Sequence, residues 1–335
     1  MPSSPARGPS SRAARRPAGG PDGVLLLDKP PGATSHDAVE RLRKVPGFRK
    51  TGHAGTLDPM ATGLLVVCVN EGTKIARFLM EGDKEYVATL QLGVVTDTQD
   101  ATGRVLGEGD WRRVTREDLD REARAFVGEI AQVPPMFSAI KREGVRLHQL
   151  AREAREVERP PRRVRVDAIT VERFAPPEVV LRIACAKGTY VRTLAADLGE
   201  RLGCGATLGA LRRTRSGDFS IDQALPLDAL LERDGAEAAA RLIDLPEALP
   251  GFRPLPLDAG GAARARHGQM PDAPADLRAG ERVKVIGPDG LLVALAEGIA
   301  ERSGRPRLRA LRVFHGEGAD ALRRGDASGD ASKEV

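Results

Sequence analysis

The sequence predicts an α+β fold, in which a mixed or antiparallel sheet is flanked by helices. Leu64–Val69 is a continuous apolar run of strand length, which indicates a central strand buried on both faces. Apolar residues alternate with other residues in Tyr86–Leu92 and in Val179–Cys185, as is typical of half-buried strands. A helix start at Thr115 lies between those two stretches. Neighbouring strands interspersed with helices indicate the α+β class.

The elements before the central strand follow from local patterns. Residues 24–28 predict a first strand, and Lys29–Gly32 predict the turn that ends it. Ser35 is expected to cap a helix that buries Val39 and Leu42 on one face.

A second helix is predicted to begin at Thr115. Asp118 follows three residues later, at the spacing with which two side chains cap a helix start reciprocally. The helical period then places four apolar residues on one side, namely Leu119, Ala123, Phe126 and Val127.

Composition divides the chain into parts. Residues 1–22 are rich in Pro, Ser, Gly and Arg, and residues 316–335 in Gly, Ala and charged residues, so we expect a disordered basic arm and a disordered tail. Closely spaced prolines in residues 246–256 predict a linker. The linker would separate a large domain, residues 23–250, from a small domain, residues 251–315. The small domain is predicted to be β-rich, with strands at Arg282–Ile286, Leu291–Ala296 and Arg307–Val313.

The composition also bears on partners and compartment. Only 3% of the 335 residues are aromatic, and the formal net charge of +5 fits a polyanionic partner without demanding one. The cysteines, Cys68, Cys185 and Cys204, lie far apart and lack metal-ligand spacing, so we expect buried thiols in a reducing compartment. The apolar run Val24–Leu27 is too short for a signal sequence or a membrane span. We therefore expect a cytoplasmic protein with no metal site and no membrane association.

The segment Gly52–Gly63 carries the strongest local signal for a site. Three glycines and a proline define a shaped loop that runs directly into the predicted central strand. Asp58 precedes Pro59, and a residue before proline is restricted to extended conformations, so its carboxylate points in a defined direction. Two interpretations stay open on this pattern alone: a carboxylate nucleophile, or an aspartate that stabilises a turn. His53 in the same loop is either a base or a hydrogen-bonding scaffold residue.

The same segment resembles the catalytic motif of the bacterial tRNA pseudouridine synthase B family. Further segments in the same order along the chain are similar to that family's other motifs: Leu27–Ser35, Lys84–Tyr86, Pro134–Lys141 with Gly144, Gly188–Leu194 and Leu211–Arg215. One departure is His148, which stands where the family usually has tyrosine. Residues after Pro254 more weakly resemble a small RNA-binding PUA domain.

This resemblance implies a pseudouridine synthase fold and the isomerisation of one flipped-out uridine in the tRNA T-loop, at position 55. The reaction breaks the N1–C1′ bond, rotates the base and rejoins it through C5, so neither a metal nor a cofactor is expected. Asp58 is implied as the catalytic carboxylate, and three routes stay open: attack on C1′, addition to C6, or removal of the C2′ proton. Arg192 would keep Asp58 ionised, because a guanidinium does not lose its proton. Tyr86 would stack on the uracil and exchange the C5 proton.

The resemblance assigns supporting roles to four other residues. Tyr190 and Leu211 would line the pocket, where ordinary packing is the alternative reading of both. Lys29 would support the catalytic loop, although a surface lysine in a turn fits the same pattern. His53 would help to hold the opened T-loop, which is a binding role.

The RNA-gripping insertion is placed at about residues 131–163. Residues 141–165 contain nine Lys or Arg and four Glu, a net charge of +5 that equals the formal charge of the whole chain. Arginines at three- or four-residue spacing predict one basic helical face, formed by Arg142, Arg146, Arg152, Arg155 and Arg159. Such a face is often only solvated, but the insertion motif favours contact with RNA, with Arg142 and Arg146 as binding residues.

Three rival functions remain. A non-catalytic RNA clamp could use the same fold, although a complete set of Asp58, Tyr86 and Arg192 favours catalysis. A hydrolase with Asp58 as nucleophile would need a second carboxylate, and none is evident in the sequence. A synthase for ribosomal RNA shares the Asp motif, but the insertion and the β-rich small domain favour the tRNA enzyme. We expect it to bind the T-arm of tRNA and to be a monomer.

Overall fold

The computed structural model describes residues 20–136, 141–142, 145–146, 157–300 and 306–314. Most of the predicted basic arm, all of the predicted tail and His148 lie outside the described residues. The chain divides into two compact units, one formed by Gly23–Pro46 with Lys50–Gly251 and the other by the remaining residues. Each unit is described separately below.

The large unit is built on a mixed sheet, which confirms the predicted α+β class. Its strands are, in chain order, β1 Gly23–Lys29, β2 Thr51–His53, β3 Thr62–Val69, β4 Lys84–Leu92, β5 Val94–Thr96, β6 Val105–Glu108, β7 Gly128–Gln132, β8 Lys141–Arg142, β9 Val145–Arg146, β10 Arg162–Ala175, β11 Glu178–Cys185, β12 Ala206–Ser216, β13 Phe219–Ser220 and β14 Leu225–Pro226. Within the described residues, ten of these form one sheet in the order β14-β1-β3-β12-β4-β11-β10-β7, with β2 beside β3 and β13 beside β12. The β1–β14 and β3–β12 pairs are parallel.

The helices of the large unit alternate with its strands along the chain. In chain order they are α1 Ser35–Leu42, α2 Ala76–Leu79, α3 Arg116–Arg124, α4 Val191–Arg201, α5 Leu227–Leu231 and α6 Gly235–Ala239, with 3₁₀ turns at Asn70–Lys74 and Ile221–Gln223. None of the helices within the described ranges combines the length and apolar character that crossing a membrane requires.

The predicted strands are confirmed. The side chains from Leu64 to Val69 are all buried, because β3 lies between β1 and β12 in the sheet interior. In β4 the alternation buries Ala88, Leu90 and Leu92. The three cysteines are free and buried, as expected.

Two details of the helix predictions are wrong. Thr34, not Ser35, caps α1: its side chain accepts a hydrogen bond from the Asp37 N–H. Ser35 is instead the first helical residue and is buried. The cap of α3 at Thr115 is confirmed, but Val127 is 44% exposed because the helix ends at Arg124 and no longer directs that side chain inward.

The predicted basic helical face is also wrong where the structure describes it. Arg142 and Arg146 lie in β8 and β9, which pair as a two-stranded antiparallel ribbon. Residues four apart share one face of a helix, but this period does not apply to residues in β-strands. The side chains of these two arginines lie outside the described residues.

The small unit is β-rich. The strands β15 Arg253–Pro256, β16 Arg282–Ile286, β17 Leu292–Ala300 and β18 Pro306–Val313 form a sheet in that order, and the helix α7 spans Ala259–Arg266. Its core contains Ala262, Val283, Val285, Val293 and Leu308. The prediction of a linker in residues 246–256 is wrong at its end, since β15 pairs in parallel with β16 and its prolines sit on an edge strand, where a missing N–H is tolerated.

Candidate active site

The loop that carries Asp58 connects β2 to β3 and is fixed at both ends. The Ser35 hydroxyl accepts from the Leu57 N–H at 2.8 Å and donates to the Leu57 carbonyl at 3.0 Å. Gly63, where the loop enters β3, has a φ of +96°, and a Cβ there would lie 2.4 Å from the Arg213 carbonyl oxygen. Only glycine fits this position. The loop therefore presents Asp58 from a rigid frame.

Asp58 pairs with Arg192, which lies in the first turn of α4. Nε of Arg192 is 2.9 Å from Oδ2 of Asp58, and Nη2 is 3.3 Å from Oδ1. The pair is therefore bidentate, the geometry in which a guanidinium binds a carboxylate most strongly. The Arg192 side chain is 5% exposed, whereas that of Asp58 is 35% exposed. The carboxylate thus has a fixed cation behind it and an open side for a substrate.

Opposing effects set the protonation of Asp58. Burial raises its pKa above the ordinary value, because a charged carboxylate loses solvation. The charge of Arg192 opposes that rise, the charge of Asp100 adds to it, and the charge of Lys29 lowers the pKa again. The net direction is upward. Arg192 is the largest influence that keeps the carboxylate ionised.

Asp100 is a second carboxylate in contact with Arg192, and the sequence analysis missed it. Its Oδ2 lies 3.4 Å from Nη1 of Arg192, and its side chain is 6% exposed. Its Oδ1 accepts hydrogen bonds from the Thr98 hydroxyl at 2.8 Å and from the Thr102 N–H at 3.0 Å. The segment between β5 and β6 reads as a polar turn, and only its position beside Arg192, 92 residues away in the chain, reveals its role. A second carboxylate is therefore present, but its oxygens are occupied by these partners, which does not suit the acid or base of a hydrolase.

Lys29 is fully buried beside the Asp58 loop. Its Nζ donates to the carbonyls of Pro30 at 2.8 Å, Ala33 at 2.7 Å and Pro59 at 3.3 Å. Burial lowers the pKa of Lys29 to about 8, against a weaker opposing influence of Asp58. The reading of Lys29 as an exposed turn residue is therefore excluded by its burial.

Tyr86 lies on β4, directly opposite Arg213 of β12. Burial raises the pKa of the Tyr86 phenol, while the charge and a hydrogen bond of Arg213 lower it and the charge of Asp58 raises it. Arg213 is 1% exposed, and it donates from Nε to the Leu64 carbonyl at 2.7 Å and from Nη2 to the Gly55 carbonyl at 3.1 Å. Its position within a motif segment was the signal that could have identified it.

The remaining predicted pocket residues lie on the surrounding elements. Tyr190 is the residue from which α4 begins, and Leu211 is buried on β12 opposite Ala88. His53 ends β2; burial, helped by the charge of Arg213, lowers its pKa and favours a neutral imidazole. The structure does not describe the side chains of the two predicted RNA-binding arginines of the insertion.

Two family models match adjacent parts of the chain. The TruB family pseudouridylate synthase (N terminal domain) model matches residues 43–191. The tRNA pseudouridylate synthase B C-terminal domain model matches residues 192–245. Together they span the Asp58 loop, Tyr86, Arg192 and Leu211.

Curated relatives and solved structures agree with these matches. The chain is 46% identical to the tRNA pseudouridine synthase B of Geobacter sulfurreducens, over 88% of this chain and 100% of that protein. It is 47% identical to the enzyme of the same name from Burkholderia mallei, over 86% of this chain and 93% of that protein. A chain in the crystal structure of a Cbf5-Nop10-Gar1 complex superposes with a TM-score of 0.67 at 27% identity, covering 91% of this chain and 92% of that one.

The mixed sheet, the family models and the curated relatives identify the chain as a pseudouridine synthase, which is an isomerase. More specifically, the chain belongs to the TruB family of pseudouridylate synthases. The resemblance seen in the sequence motifs is confirmed.

Proposed function

We propose that this chain converts the T-loop uridine at position 55 of tRNA into pseudouridine. Relatives that match over most of their length bear the name tRNA pseudouridine synthase B, which supports tRNA as the substrate. The observation that carries the proposal is the bidentate Asp58–Arg192 pair, in which a partly exposed carboxylate is held beside a buried guanidinium. A carboxylate kept ionised on a rigid loop is the group that the reaction needs.

The chemistry divides between Asp58 and Tyr86. Asp58 acts on C1′, on C6 or on the C2′ proton, and each of these routes leads to cleavage of the N1–C1′ bond. The detached uracil turns so that C5 faces C1′, and the C5–C1′ bond forms. The C5 proton then leaves to Tyr86, and N1 takes up a proton, so the product is an isomer of the substrate. Burial raises the pKa of the Tyr86 phenol, and the adjacent Arg213 opposes that rise, so Arg213 would assist the transfer of a proton at the phenol oxygen.

The pocket must also offset the cost of removing a uridine from its stack, which is a few kcal/mol. Stacking on the Tyr86 ring contributes about 1–3 kcal/mol and tolerates rotation of the base. Tyr190 and Leu211 would line the same pocket. A neutral His53 can fill the space vacated by the base without placing a second cation there. Lys29 joins the turn that follows β1 to the Asp58 loop, through the carbonyls of Ala33 and Pro59.

RNA binding is proposed to extend beyond the pocket. The insertion at about residues 131–163, with Arg142 and Arg146, would contact the phosphates of the T-arm, and residues 251–315 would act as a PUA-like RNA-binding domain after the catalytic domain of residues 23–250. The enzyme is proposed to act as a monomer. We place its activity in the cytoplasm, where tRNA is processed.

The proposal is tested by mapping pseudouridine at nucleotide resolution in an unmodified tRNA transcript incubated with the purified chain and no added cofactor. We expect one new pseudouridine, at position 55. A transcript whose T-loop uridine is replaced by cytidine is the matched control and should remain unmodified. Product at other positions would overturn the specificity, and tight tRNA binding without product would establish a clamp in place of an enzyme.

A further inference from the structure

Gln132 makes a paired contact with the main chain of Tyr190. The Tyr190 N–H donates to Oε1 of Gln132 at 2.8 Å, and Nε2 of Gln132 donates to the Tyr190 carbonyl at 3.1 Å. Gln132 is 2% exposed, so water does not compete for these bonds. A buried polar group that loses such a partner is not readily satisfied again. Among side chains, an amide offers one donor and one acceptor at this spacing.

This contact fixes the start of the helix that carries Arg192. Tyr190 is the N-cap residue of α4, and its own side chain makes no capping hydrogen bond. Arg192 follows two residues later. On the next residue, the Thr193 hydroxyl donates to Oε1 of Gln99 at 2.9 Å. Two glutamine side chains, one at the end of β7 and one in the loop between β5 and β6, therefore hold the first turn of α4 on either side of Arg192.

We infer that Gln132 is a positioning residue, which holds the first turn of α4 so that Arg192 meets Asp58 in the bidentate geometry. The inference rests on the proposed function, since it requires Asp58 to be the catalytic carboxylate. Gln132 is also the last residue of β7, where the insertion begins. Just before β10, where the insertion ends, Arg159 donates to the Pro134 carbonyl at 3.1 Å. The base of the insertion and the start of α4 are thereby fastened at the same place.

A shift of α4 would change the charges that face Asp58. Those groups are Arg192 and Lys29, which favour the ionised carboxylate, and Asp100, which opposes it. Lys29 is held by carbonyls of its own loop region, and Asp100 by Thr98 and Thr102, so neither depends on Gln132. Loss of the Gln132 contact would therefore weaken the influence of Arg192 selectively. The carboxylate would then remain protonated to a higher pH, and the acid limb of the reaction rate would move upward in pH.

The test uses the full-length chain with Gln132→Met, which keeps the length of the side chain, and Gln132→Asn, which keeps the amide but shortens its reach. Both are uncharged, so neither alters the field at Asp58 directly. Gln91→Met, at the opposite end of β4 from Tyr86, is the control. Single-turnover release of tritium from tRNA labelled at uridine C5 would be measured from pH 5 to 9, with tRNA affinity by filter binding and melting temperature as a check of folding.

We expect both Gln132 variants to lose about tenfold or more in rate, because small displacements of catalytic groups are costly. Their acid limb should lie at higher pH than that of the parent and of Gln91→Met, with tRNA affinity within about twofold. Parental rates in the Gln132 variants would overturn the inference. Slower rates with an unmoved acid limb would also overturn it, because Gln132 would then have only a structural role. If the Met variant does not fold, the Asn variant decides. A parent that releases no tritium would instead defeat the proposed function.

Discussion

Nε of Arg192 lies 2.9 Å from Oδ2 of Asp58, and the same guanidinium reaches Oδ2 of Asp100 through Nη1 at 3.4 Å. One buried cation thus serves two carboxylates of unequal exposure. Asp100 is enclosed by its own turn, whereas Asp58 retains an accessible side. On this inequality we propose that Asp58 performs the chemistry and that Asp100 orients Arg192.

Asp100→Asn is expected to slow the reaction by about tenfold, because Arg192 loses a charged anchor. The charge of Asp100 raises the pKa of Asp58, so its removal should lower that pKa and move the acid limb of the rate to lower pH. The measurement is the single-turnover rate between pH 5 and 9. Asp97→Asn in the same loop, with an exposed side chain, is the matched control. A parental rate in Asp100→Asn would contradict the assignment, and an acid limb that moves upward would show that Arg192 itself has left Asp58.

The lowered pKa of Lys29 predicts that the reaction rate falls at high pH. Its pKa is lowered to about 8, so as the pH rises through that value the ammonium loses a donor from the loop and a charge that favours ionised Asp58. The parental rate should therefore fall above a pH of about 8. Lys29→Arg should abolish this fall, because a guanidinium does not titrate in that range, and Lys29→Met should be slow at every pH. An unchanged basic limb in Lys29→Arg would exclude Lys29 as its source.

Gly63→Ala is expected to destabilise the large unit by about 2 kcal/mol or more, because the residue has a φ of +96° and its Cβ would press on the Arg213 carbonyl. Urea denaturation measures the free energy of unfolding. Gly251→Ala is the control: a Cβ at Gly251 meets open space, and the change should cost less than about 0.5 kcal/mol. Equal stabilities of the two variants would show that the approach of β3 to β12 at Gly63 is not tight.

The insertion is tested by Arg142→Ala combined with Arg146→Ala. If each arginine neutralises one phosphate, the slope of log affinity against log salt should become shallower by about 1 per residue. Filter binding of tRNA between 50 and 300 mM salt measures that slope. Arg121→Ala combined with Arg201→Ala, two exposed arginines that already pair with Glu122, should leave it unchanged. A parental slope in the insertion variant would remove these residues from the RNA interface.

The fold could be predicted from the sequence where a single pattern determined a single strand or helix. The apolar run from Leu64 to Val69 predicted an interior strand, and the alternation in Val179–Cys185 matches the buried positions of β11. The cap of α1 could not be placed, because Thr34 and Ser35 are equally good caps and tertiary contact with Leu57 recruits Ser35 elsewhere. Because Ser35 binds the buried Leu57, Thr34 is left to cap the helix.

The candidate site likewise contains residues that the sequence predicted and residues that it did not. Asp58, Tyr86 and Arg192 lie in segments whose motifs could be recognised, so their assembly was expected. Asp100 and Gln132 lie outside the recognised motif segments, in the turn between β5 and β6 and at the end of β7. Their partners, Arg192 and Tyr190, are 92 and 58 residues away in the chain. Pairing over such distances is a property of the folded chain, and no local pattern contains it.

The role of Asp58 is tested most directly by Asp58→Asn, which keeps the size of the side chain and removes its charge. Tritium release from tRNA labelled at uridine C5 would be compared for the parent, for Asp58→Asn and for Asp197→Asn, a half-buried aspartate on α4, as control. We expect the parent and the control to release one equivalent per tRNA, and Asp58→Asn to release none above background while still binding tRNA. Continued release by Asp58→Asn would contradict a mechanism in which this carboxylate is indispensable.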